Sequence, residues 1–223
     1  MDFASIFQTW ITVLTKPSEA TFEAERQKPN ANLTTAIIWI VIAAVILAIF
    51  SALGALINNF IGGGTAAMQS LLDQADLPPE VATQLAAYMA LGTGSAIGTF
   101  CFTLVLAPIG FLIGSGIHFL IAKLLGGTGS FEEQTYLMAT FVAPIMIITG
   151  VVGIIPFLGG CVSFLIFIYQ LVLTFLAVKV VHRLGTGQAL VVALGPILIF
   201  FLCLLCIFIG AFALIFSAAS NAR

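Results

Sequence analysis

Few side chains in this sequence can do chemistry, and their spacing decides what. Ser115 and His118 are a nucleophile and a base three residues apart in one apolar run. Acyl transfer needs such a pair in hydrogen-bond reach, with an orienting group and an oxyanion site brought from separate elements. The other histidine, His182, closes a different run, so no hydrolytic site is expected. His118 is expected to hydrogen-bond another helix or a lipid headgroup. Cys203 and Cys206 form a C-x-x-C with no second pair for zinc and no strand-to-helix turn for redox work. With Cys101 and Cys161 they are expected to act as small apolar packing residues. Asp73, Asp76 and Glu80 lack the spacing of a calcium loop. Gly92 to Gly98 and Gly126 to Ser130 imitate nucleotide loops, but neither follows a strand and no Gly-Lys-Ser/Thr occurs. Gln170 is the deepest polar side chain and is expected to tie two helices together. The sequence thus predicts no catalytic, cofactor or metal site.

Composition sets the elements that carry these groups. Of 223 residues, 61% are hydrophobic and 7% charged, against about 25% charged in soluble domains. Such a chain has lipid for its solvent, and an all-α polytopic bundle is the expected class. Five apolar runs can each cross about 30 Å of hydrocarbon: Leu33 to Ile57, Ser95 to Leu125, Thr135 to Ile155, Phe157 to Val181 and Ala189 to Phe216. The third and fourth are separated only by the tight reversal at Pro156, Gly159 and Gly160. Ser130 and Glu133 fit a capping box. Gly94 with Gly98, and Gly110 with Gly114, are spaced for close helix contact. A net charge of -2 without a basic block leaves no footprint for nucleic acid.

Orientation follows from the seven Lys and Arg, because positive loops resist translocation. Lys16, Arg26 and Lys28 precede the first run, Lys123 closes the second, and Lys179 and Arg183 close the fourth. Those six share the inner face if the N-terminus is cytoplasmic and five spans are crossed, which puts Arg223 and the C-terminus outside. Residues 1–32 are expected as a cytoplasmic N-terminal segment, residues 33–223 as the membrane domain, and residues 58–94 as its acidic outer loop with two short amphipathic helices. In the N-terminal segment Phe3, Ile6, Phe7, Trp10, Ile11 and Leu14 recur at helical spacing. The stripe predicts an amphipathic helix lying in the interface with Trp10 at headgroup depth, or else packed against the spans.

The arrangement resembles the Yip domain family, the Ypt-interacting membrane proteins, in a short prokaryotic-like form. Trp10-Ile11-Thr12-Val13-Leu14-Thr15-Lys16-Pro17 followed by Phe22 is similar to the family's pre-membrane stretch. Gly116-Ile117-His118, Ala122 to Gly127 and Gly129-Ser130-Phe131, with Pro144 and Pro156 following, are similar to the turn between its second and third spans. The resemblance covers nearly the whole chain. It implies five spans, a cytoplasmic N-terminus, an external C-terminus and no enzymatic activity. Eukaryotic members bind small Rab-type GTPases, and the long Pro/Gly-rich or aromatic N-terminal region typical of them is lacking in this sequence, so the resemblance does not carry Rab binding over.

The expected function is therefore that of a membrane scaffold or assembly subunit in a prokaryotic cytoplasmic membrane, with the endoplasmic reticulum or Golgi as the alternative location. Its expected partners are the bilayer and another membrane or peripheral protein, or a second copy of the chain. Phe7, Trp10, Lys16, Lys123 and Arg183 are the expected interface residues, and His118 and Gln170 the intramembrane polar ones. A small transporter or channel is the alternative, although no Asp, Glu, Lys or Arg falls at mid-span.

Overall fold

The structure, a computed structural model, describes residues 3–60, 70, 81, 83–84, 96–155 and 158–221. The described residues form seven helices in the order α1 (Phe3–Thr15), α2 (Glu19–Arg26), α3 (Leu33–Phe60), α4 (Ala96–Leu124), α5 (Phe131–Gly153), α6 (Leu158–His182) and α7 (Thr186–Asn221). Five of them are long and apolar enough to cross a membrane: Leu33–Ile57, Ala96–Leu124, Phe131–Gly153, Gly159–His182 and Thr186–Gly210. The acidic loop with Asp73, Asp76 and Glu80, the Pro156 reversal and Arg223 lie outside the described residues.

The packing order explains the compositions. α5 has the lowest mean hydropathy of the five spans, 1.9 against 2.2 to 3.1 for the others, yet its run from Gln134 to Ile145 is buried without a break. In a bilayer the apolar helices can face lipid, whereas polar side chains must face protein. α5 is accordingly the central helix, packed on α3, α4 and α6, and α7 closes the bundle against α4 and α6. It also starts earlier than its apolar run suggests, because Ser130 and Glu133 form the expected capping box: Ser130 Oγ accepts from the Glu133 N–H at 3.2 Å, and Glu133 Oε2 accepts from the Ser130 N–H at 3.1 Å. α4, α5 and α7 run on through Pro108, Pro144 and Pro196.

The N-terminal helices share the core of the spans. Ile6, Trp10 and Val13 of α1 and Phe22 of α2 are buried with Trp39, Tyr136, Phe141 and Leu173. Trp10 stands edge-on to Trp39, with ring centroids 6.0 Å apart, and Phe22 edge-on to Phe141 at 6.1 Å. The Tyr169 hydroxyl donates to the Leu14 carbonyl at 2.6 Å, fixing the end of α1. Of the two arrangements open to the apolar stripe, its buried face takes the one against the spans.

Two packing expectations are corrected. All four cysteines are on the outer surface of the bundle, not inside it; a thiol is as compatible with lipid tails as with a protein core, so apolar context does not tell the two apart. A Cβ added at Gly110 or Gly114 would meet nothing, because the buried face of α4 is the one with Phe111 and Ser115. The close approach is made instead at Gly129, where an added Cβ would collide with the side chain and carbonyl of Val181.

Candidate functional site

The charged end of the bundle, where α4 and α6 finish and α5 and α7 begin, holds most of the polar chemistry. α2 is clamped there. Arg26 grips Glu23 with two nitrogens, Nη2 to Oε1 at 2.7 Å and Nε to Oε2 at 3.0 Å, and donates Nη1 to Glu133 Oε1 at 2.7 Å. Glu133 therefore caps α5 with one oxygen and receives α2 with the other. Lys179 reaches Glu19 at 2.5 Å, joining α6 to the first turn of α2. Lys28 donates to Thr9 Oγ1 at 2.9 Å and pairs with the buried Glu25 at 2.7 Å, which binds α1 to α2. Glu132 accepts the Leu33 N–H at 3.0 Å, and Asn32 Oδ1 accepts that of Thr35 at 2.8 Å, so the start of α3 is capped from two sides.

These pairs set the local electrostatics. The hydrogen bonds from Arg26, then those from Gln27, hold the Glu23 carboxyl down at about 2, and the same pairing raises Arg26 further above its ordinary value. Both ions remain charged across the physiological range, so the clamp does not open with ordinary changes of pH.

Beneath the ion pairs lies a buried polar network that the sequence did not single out. Gln134 Nε2 donates to the Ser115 carbonyl at 2.7 Å, and its Oε1 lies 2.8 Å from His182 Nε2. With the amide oxygen as acceptor, Nε2 of His182 carries the proton, and Nδ1, buried without a partner among the described residues, presents its lone pair. Ser115 Oγ and Thr135 Oγ1 complete the network at 2.9 Å. One residue from each of α4 and α6 thus meets two from α5. The only local sign in the sequence was a glutamine and a threonine in the first turns of an apolar run.

The expected site residues are dispersed. Phe7 is 63% exposed, and Trp10 is buried on Trp39. Lys123 stands 5.4 Å over the ring of Phe119. Arg183 adopts a left-handed backbone, φ 53. His118 Nδ1 bonds the Gly114 carbonyl of its own helix at 2.7 Å, with the Ala193 backbone of α7 as a second partner. Gln170 is half-buried, and its side chain has no hydrogen-bond partner among the described residues; its carbonyl accepts from Thr174 Oγ1. Ser115 and His118 are occupied separately, without a bond between them. No group of three or more metal-ligating side chains occurs among the described residues.

No curated protein and no solved structure matches the chain. The Yip1 domain family does, over residues 11–208, from within α1 to the second half of α7. Five membrane-length helices and a match over most of its length make this an integral membrane protein that belongs to the Yip1 domain family.

Proposed function

We propose that the chain is a non-enzymatic membrane scaffold that docks another protein on its cytoplasmic face, with the N-terminus on that side and the C-terminus outside. One observation carries this reading: α1 and α2 are fastened to the spans by the ion pairs Arg26–Glu133 and Glu19–Lys179 and by buried aromatic contacts, yet Phe7 and Ile11 of α1 remain exposed. A rigid helix with an unspent apolar edge suits a docking surface, where a few anchors carry most of the affinity. Phe7 lines an apolar groove of about 470 Å³ whose floor includes Trp10, Trp39, Ile42 and Ile46. Lys16, Lys123 and Arg183, which make no ion pair among the described residues, are the further cations we assign to the docking face.

The polar groups oppose the alternative of a transporter. The buried network of Ser115, Gln134, Thr135 and His182 gathers at the charged end, while Thr140, Thr149 and Thr174 deeper in the spans return their hydroxyls to carbonyls of their own helices. Helices that continue through their prolines offer none of the broken backbone that carriers use to coordinate solutes.

Photo-crosslinking in intact membranes from positions 7 and 11 tests the proposal. A discrete protein adduct that disappears when residues 1–14 are deleted supports it. Lipid adducts alone from both positions would sink it, and solute uptake by vesicles holding only the purified chain would favour a carrier.

A further inference from the structure

Two spans end in the same turn with different residues at its critical position. At the end of α4, Gly126 is left-handed, φ 88, and the Gly127 N–H returns to the Ala122 carbonyl at 2.9 Å. At the end of α6, Arg183 is left-handed, φ 53, and the Leu184 N–H returns to the Lys179 carbonyl at 3.2 Å. Both are Schellman closures, whose left-handed residue is ordinarily glycine because a Cβ is crowded there. Arginine is strained where glycine would be relaxed, and strain held by a fold is a pointer to use.

The surroundings say what use. Arg183 lines a cleft of about 530 Å³ together with Glu19, Glu23, Arg26, Lys179 and Leu184. Lys179 is closed by Glu19, and Arg26 by Glu23 and Glu133, which leaves Arg183 as the cation of the lining that makes no ion pair among the described residues, although the Glu23 carboxylate feels its charge. Both carboxylates still face water, Glu19 with 55% and Glu23 with 40% of the side chain exposed. The α6 span ends at His182, so Lys179 and Arg183 bracket its last turn, at the level where lipid headgroups lie. A planar guanidinium matches phosphate oxygens in a two-pronged fork, and exposed carboxylates a few side chains away can accept from an ammonium.

We propose that this cleft binds the headgroup of a zwitterionic phospholipid with a primary ammonium, its phosphodiester on Arg183 and its ammonium on Glu19 and Glu23. Free phosphate shares the first contact only. The site is independent of protein docking and stands or falls on lipid binding.

The test uses the purified full chain in detergent, with native mass spectrometry and thermal melts on adding phosphatidylethanolamine, phosphatidylglycerol or inorganic phosphate. Phosphatidylethanolamine should stay bound and raise the melting temperature more than the other two. Arg183→Gly should bind it at least tenfold more weakly, yet melt no lower than the parent when lipid-free, since glycine suits the left-handed position. Glu19→Gln should narrow the preference over phosphatidylglycerol. Retained binding in R183G would overturn the proposal, equal shifts with phosphatidylglycerol or an unchanged preference in E19Q would remove the ammonium contact, and an equal shift with inorganic phosphate would assign the cleft to a soluble anion.

Discussion

A buried amide in a membrane must find its partners inside the protein, because lipid tails offer none. Gln134 finds them on two other helices, the Ser115 carbonyl on α4 and His182 on α6. Gln134→Leu removes both links and strands the His182 ring N–H, so it should lower unfolding stability in detergent by about 1–2 kcal/mol. Gln170→Leu, which breaks no side-chain hydrogen bond among the described residues, should cost less than about 0.5 kcal/mol. Denaturant titration of the two variants side by side checks this, and equal losses would mean that the network ties nothing. Depth in an apolar run made Gln170 conspicuous, but satisfaction depends on neighbouring helices that a single run does not specify. The ion pairs make a second prediction. The Glu23 carboxyl is depressed from 4.5 to about 2, chiefly by Arg26; its contribution is therefore full above about 4.5 and fades as the pH falls through 2. Being partly exposed, the pair is worth about 1 kcal/mol or less. Acid melts of Glu23→Gln should accordingly be flatter than those of the parent between pH 4.5 and 2.

Among the elements, the turn joining α4 to α5 shows what is local and what is not. The capping box was legible because its partners are three residues apart, and Ser130→Ala should cost about 1 kcal/mol, the usual loss of an N-cap. Gly129 invites the larger effect. Its Cα lies against Val181 of α6, so a single methyl would meet the Val181 carbonyl at 2.5 Å, and Gly129→Ala must push α6 away from the turn. That overpacking should cost about 1–3 kcal/mol, more than the loss of the cap, and thermal melts of the two variants would show the order. Nothing in the Gly126-Gly127-Thr128-Gly129 run distinguishes a glycine needed for its backbone angle from one needed for room. Gly126 is the first kind and Gly129 the second. The clamp of α2 was illegible for a related reason, since Arg26 and Glu133 are 107 residues apart in sequence and each already had a plausible local role.

At the scale of the whole molecule, the number of membrane-length helices was legible because lipid imposes it: apolar length fixes which helices can cross. The packing order was not, since helices meeting lipid and helices meeting each other are built from the same residues. The charged end also gathers Glu19, Glu23, Glu25, Glu132 and Glu133, several of them paired with the very cations that should orient the chain. If net charge governed insertion, those acids would cancel much of the signal. The rule counts positive residues in short loops, however, and acids contribute little to it. Lys16, Arg26, Lys28, Lys123, Lys179 and Arg183 should therefore hold their end in the cytoplasm. A topology reporter inserted near Thr128 is expected inside, and one fused after Arg223 outside. The pair is needed because each error has its own signature: both reporters inside would mean an even number of crossings, whereas Thr128 outside with Arg223 inside would mean that the positive charges do not set the orientation.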